Sequence, residues 1–139
     1  MLSDEIKSNK FENLIKFIFQ PKFAKFIKFG SKISFFVCLI IIEYIATSER
    51  SVAISEVFWD KFNHFFAFFV LFILLSLGYK LSNLIKFILL LAFGLQIEII
   101  QHFLPNRYFS GFDIFADFVG IMLGFLFLKA INGKIKNSL

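Results

Sequence analysis

Leu84–Leu104 reads LIKFILLLAFGLQIEIIQHFL, Pro105–Gly111 reads PNRYFSG, and Phe112–Ile131 reads FDIFADFVGIMLGFLFLKAI. Each apolar run approaches the ~20 helical residues that cross the hydrocarbon core of a bilayer. Between them Pro105, Asn106 and Gly111 interrupt helix. A break that short folds the two runs back on each other as an antiparallel hairpin. Two further apolar runs lie upstream, Ile33–Ser48 and Phe62–Tyr79, with Ser82-Asn83 turning the second into Leu84. Trp59, Tyr79 and Tyr108 stand at run ends, where amphipathic rings suit the headgroup level. Of 139 residues 58% are hydrophobic and 18% charged, at a mean hydropathy of +0.78. A soluble domain of this size cannot hide that much apolar surface. The expectation is an all-α polytopic membrane protein: a domain of four transmembrane helices over 32–139, preceded by a basic amphipathic segment over 1–31.

In that first segment Lys16, Lys22, Lys25, Lys28 and Lys32 alternate with Phe17, Phe19, Phe23, Phe26 and Ile27, and Pro21 marks a break. The pattern fits a helix lying on the membrane surface, with a disordered cationic leader as the alternative. The formal charge of +5 raises the question of nucleic acid. Its distribution speaks for anionic headgroups instead, because the lysines gather near the start and at run ends, and no nucleic-acid partner is expected. With four spans, Lys7, Lys10, Lys16, Lys22, Lys25, Lys28, Lys32, Lys80, Lys86, Lys129, Lys134 and Lys136 fall on one side, against Arg50, Lys61 and Arg107 on the other. The positive-inside rule then puts both termini in the cytoplasm of a multi-pass protein of the bacterial cytoplasmic membrane. Cys38, the single cysteine, lies inside an apolar run and reads as a core residue.

With that orientation the ionisable residues of the spans collect at the outer end. Glu98 and Gln101 lie toward the end of the third run, Arg107 in the turn, and Asp113 and Asp117 in the first turns of the fourth. His64 opens the second run, and Glu43, read as snorkelling, closes the first. His102 reads as an interfacial hydrogen-bonding group. Gly94, Glu98 and Gln101 share one helix face by their four and three spacing, as do Asp113, Asp117, Gly120 and Gly124. Gly120-x-x-x-Gly124 permits close helix approach, and with Gly94 it is expected to form the seam of the hairpin. Phe68 shares a face with His64. Ser110-x-x-Asp113 has the spacing of a capping pair. A charge at a span centre costs about 2.5–3.5 kcal/mol on insertion scales. Glu98, the deepest, is therefore expected to be paired with Arg107 or His64, or to carry its proton.

At these residues the chain resembles the VanZ-like family of bacterial membrane proteins. The likeness rests on Asp60-Lys61-x-x-His64-Phe65-x-Ala67, on Glu98-x-x-Gln101 with Pro105-x-Arg107, and on Asp113-x-x-x-Asp117-x-x-Gly120-x-x-x-Gly124. It covers residues 60–124. Family members often carry Tyr at the position of Phe68 and Asn at that of Asp117. The resemblance implies a small multispan envelope protein, linked in some members to reduced glycopeptide susceptibility.

The expected ligand is a lipid-linked envelope precursor or a glycopeptide, bound or modified in the outer leaflet by His64, Glu98, Gln101, Arg107, Asp113 and Asp117, with membrane lipids as the general partner. No nucleophile motif, His/Cys metal spacing or phosphate-binding glycine loop is visible, so no cofactor and no metal are expected. A general acid/base set or a hard-cation site built from His64 and the carboxylates is the enzymatic variant. The alternatives are a small proton-coupled transporter, which would need a homo-oligomer, and a non-catalytic envelope scaffold.

Overall fold

The computed structural model describes residues 21–48, 56–105 and 107–138. Among them are four helices and no strand: α1 (Pro21–Thr47), α2 (Glu56–Gly78), α3 (Asn83–His102) and α4 (Gly111–Ser138). All four contain a stretch long and apolar enough to cross a membrane, within Phe23–Thr47, Lys61–Gly78, Asn83–His102 and Gly111–Gly133. The protein is a multi-pass membrane protein, and among the described residues successive helices run in opposite directions. The surface placement expected of residues 1–20 lies outside the described residues.

Helix α1 begins earlier than its hydropathy suggests. Pro21 occupies its first position, where the missing N–H would be unsatisfied in any case. From Lys22 to Ile33 the only weak helix former of consequence is Gly30, and one internal glycine costs only about 1 kcal/mol. Lys22, Lys25 and Lys28 therefore continue into the span as one helix, and the boundary expected between residues 31 and 32 falls inside it. Helix α3 starts where expected: the Ser82 Oγ accepts from the Ile85 N–H at 3.3 Å, an N-cap.

Helix α2 is the centre of the bundle, with its most extensive contact to α4 and the next to α1. Phe68, Leu71, Phe72 and Leu75 of α2 meet Leu90 and Ile97 of α3 and Ile121 of α4 in a buried apolar cluster. Cys38 packs against this cluster, as read from the sequence. Large apolar side chains such as Ile40, Leu84 and Phe112 point outward at 70%, 70% and 74% exposure. Hydrocarbon is as good a solvent for them as a core.

The glycine seam has a different partner from the one expected. A Cβ on Gly120 would strike the backbone carbonyl of Phe65, and one on Gly124 would lie 3.1 Å from the Phe69 carbonyl and 3.1 Å from Phe72 Cβ. Both glycines thus seat α4 against α2, not against α3. The reason is size: the backbone of α2 at Phe65 and Phe69 and the side chain of Phe72 come too close to leave room for anything larger. Gly94 does face α4, where it leaves room for the Asp117 carboxylate.

The two ends of the bundle differ in charge. Where α1 starts, α2 gives way to α3 and α4 runs out, Lys28, Lys80, Lys86 and Lys129 line one pocket. Lys86 is buried there, with its ammonium 3.4 Å from Asn83 Oδ1, and Lys32 sits 4.8 Å over the Tyr79 ring. The carboxylates lie at the opposite end.

Replacing Gly120 by Ala should lower stability by about 1–3 kcal/mol, because the added methyl meets backbone that cannot rotate away. Gly133, with nothing within 4 Å of an added Cβ, is the control. Denaturant unfolding in detergent should show Gly133→Ala close to the parent and Gly120→Ala well below it.

Candidate functional site

At the end where α1 and α3 finish and α2 and α4 begin, four ionisable side chains from three helices converge. His64 enters from α2, Glu98 from α3, and Asp113 and Asp117 from α4. Their exposures are 8%, 0%, 5% and 0%. Each carboxylate is held by a group from another element. Asp117 Oδ1 lies 2.9 Å from His64 Nδ1. With an ionised Asp117 the imidazole donates from Nδ1, which leaves Nε2 as the nitrogen with a lone pair. Asp113 Oδ1 accepts from the Lys61 ammonium at 3.1 Å. Glu98 Oε2 accepts from the Ser110 backbone N–H at 2.7 Å.

The last contact replaces the local capping expected at the start of α4. Ser110 immediately precedes the helix, and its carbonyl accepts from the Asp113 N–H at 3.1 Å. In a capping box the Asp113 carboxylate would return to the Ser110 N–H. Here Glu98 takes that donor from across the hairpin, and Asp113 is released to Lys61. The positive end of the α4 dipole also favours both carboxylates.

Two buried carboxylate oxygens of this cluster have no hydrogen-bond partner among the described residues: Glu98 Oε1 and Asp117 Oδ2. Asp117 Oδ2 occupies the space that a side chain at position 94 would fill. The His64 ring stacks on Phe68 with planes 3° apart and centroids 6.5 Å apart. Phe68 is wholly buried, so the imidazole is fixed on one side by its ring and at Nδ1 by Asp117.

Beside this cluster is a cavity of about 340 Å³ between α1, α2 and the end of α3. Ile42, Ile45, Ala46, Phe62 and Phe66 give it apolar walls, and His64, Asn63, Gln101 and Arg107 give it a polar side. The Gln101 amide donates to the Ala46 carbonyl at 2.9 Å and so satisfies an end group of α1.

The chain matches no family model, no curated protein and no solved structure. The chemistry of the site therefore rests on its own residues. His64, Glu98, Asp113 and Asp117 are brought together; Gln101 and Arg107 line the adjoining cavity, which touches the cluster through His64. Glu98 reaches the Ser110 backbone, a partner that helical spacing could not name. Glu43 belongs elsewhere: its Oε1 accepts from Gln96 Nε2 at 2.9 Å on another face of α1 and α3. His102 is exposed, with its ring edge-on to Phe103.

Lys61 joins the site although it is not among the residues expected there. It stands three residues before His64, on the same face of α2, and that spacing is the signal in the sequence. As the cation on Asp113 it offsets part of the charge the three carboxylates bring.

Removing the Glu98 acceptor leaves the Ser110 N–H without its partner, at a cost of about 1–3 kcal/mol. Glu98→Ala should therefore unfold at lower denaturant than Glu98→Gln, whose amide oxygen still accepts. Equal midpoints would show that this contact holds nothing.

Proposed function

We propose that this is a VanZ-like membrane protein of the bacterial cell envelope that binds a lipid-linked phosphate or sugar phosphate in the outer leaflet of the cytoplasmic membrane. The observation that carries the proposal is the cavity beside His64, apolar along Ile42, Ile45, Phe62 and Phe66 and polar at Gln101 and Arg107. An amphiphile has that division, with a chain for the apolar walls and an anionic head for the guanidinium. About 340 Å³ suits a head group or a short piece of chain. It is too small to enclose a glycopeptide, so a lipid-linked ligand is the better fit of the two.

Orientation supports the same reading. The lysine-lined pocket at the far end of the bundle belongs on the cytoplasmic side by the positive-inside rule. Both termini are then cytoplasmic, and the carboxylate end and its cavity face outward. The resemblance over residues 60–124 points to the same envelope setting. In this reading His64, anchored by Asp117, forms part of the polar wall beside the head group.

Binding of a polyprenyl phosphate to the full-length protein in zwitterionic nanodiscs tests the proposal. The expected result is saturable binding, weakened at least tenfold by Arg107→Gln and by Ala67→Phe, which fills the cavity wall. Equal binding by parent and both variants would remove the cavity from the function. Full complementation of a deletion strain's envelope phenotype by Glu98→Gln with Asp113→Asn would remove the carboxylates.

A further inference from the structure

We infer that His64, Glu98 and Asp113 form a binding site for one divalent cation of intermediate hardness, of the Mn²⁺ or Zn²⁺ class. One ligand atom from each of the three lies within 4.8 Å of those of the other two, and all three residues are buried. They come from α2, α3 and α4, so the site exists only in the folded bundle.

An ion about 2.0–2.2 Å from each of three donors holds them ~3–3.8 Å apart. Side-chain movements of up to about 1 Å reach that spacing from the 4.8 Å within which the three atoms lie. The Glu98 side chain is fully buried, and its Oε1 has no hydrogen-bond partner among the described residues. A buried oxygen in that condition loses its hydration without replacement, and a cation supplies what is missing. Glu98 Oε2 meanwhile stays on the Ser110 N–H, which fixes the direction of the carboxylate.

His64 has the second feature of a metal-binding imidazole. Its Nδ1 is held by Asp117 at 2.9 Å. Metal-bound histidines ordinarily give their other ring N–H to a carboxylate, which sets the tautomer and makes the ligating nitrogen more basic. Asp117 thus acts as a positioning residue, and Nε2 remains as the ligand. The mixed set of one imidazole and two carboxylates favours Mn²⁺ or Zn²⁺ over Ca²⁺, which takes oxygen donors.

Charge favours the ion as well. Glu98, Asp113 and Asp117 bring three carboxylates into a buried cluster, and Lys61, with its ammonium 3.1 Å from Asp113 Oδ1, is partly exposed. Lys61 also competes with the ion for Asp113. Since His64 borders the cavity, the site adjoins the region assigned above to the lipid. Ion binding itself requires no lipid.

The test uses full-length protein in detergent, stripped with a chelator and free of added lipid phosphate. Mn²⁺ is titrated in while the free ion is followed by its electron paramagnetic resonance signal, and Zn²⁺ and Ca²⁺ are compared by thermal unfolding. The expected result is one Mn²⁺ per chain, a higher Tm with Zn²⁺, and Ca²⁺ at least tenfold weaker than Mn²⁺. Glu98→Gln, which keeps the Ser110 acceptor, should weaken Mn²⁺ at least tenfold. Asp117→Asn should weaken it roughly ten- to a hundredfold through His64. Lys61→Met should tighten it, an effect that misfolding cannot imitate. Lack of stoichiometric binding by the folded parent overturns the inference, as does unchanged affinity in a monodisperse Glu98→Gln protein. Ca²⁺ binding as tightly as Mn²⁺ would remove the imidazole from the ligand set. Because no lipid enters these measurements, failure of the lipid reading leaves their outcome unaffected.

Discussion

The approach of α4 to the backbone of α2 at Gly120 sets the geometry on which the polar end depends. Gly120 has no room for a methyl group against the Phe65 carbonyl. Phe65 is the neighbour of His64, and Asp117 lies one turn before Gly120. A larger residue at position 120 would separate the two helices and, with them, the two members of the 2.9 Å pair. Where lipid surrounds the bundle, no hydrophobic force draws helices together. Close packing and buried hydrogen bonds must supply the association. Gly120 and Gly124 supply the first, and the His64–Asp117 contact the second.

The carboxylates are tolerable at this depth because each is shared between elements. Asp117 joins α4 to α2 through His64, Asp113 joins the same helices through Lys61, and Glu98 joins α3 to the start of α4 through the Ser110 N–H. Burying such groups singly would cost several kcal/mol, and their contacts offset part of that. The same contacts make the site stiff. His64 is held at Nδ1 and stacked on a buried ring, so the imidazole has a defined position beside the cavity. Cross-linking and preorganisation are here two consequences of one set of contacts.

Helix faces were readable because helical spacing is local. Gly94, Glu98 and Gln101 share one side of α3, and Asp113, Asp117, Gly120 and Gly124 one side of α4, as 3.6 residues per turn requires. What each face meets was less readable. Glycines expected between α3 and α4 serve α2 and α4, and the partner of Glu98 is a backbone amide. Asp113 leaves its capping role for Lys61. Helix α1 starts at Pro21 because backbone preference, more than hydropathy, sets where a helix begins. Sequence spacing ranks the residues on one helix; it does not say which neighbour comes closest.

The amino-acid sequence by itself determined the four apolar helices and the polar character of one bundle end. Those properties follow from hydropathy and helical periodicity within single segments. It also placed His64, Glu98, Asp113 and Asp117 in the segments from which they meet. Only the tertiary structure decided that α2 lies at the centre, that glycines bring α4 onto its backbone, and that Glu98 Oε1 is left without a partner. These depend on distances between residues far apart in the chain: His64 and Asp117 are separated by 53 positions. Packing of whole helices, with the smallest residues at the tightest crossing, brings them together.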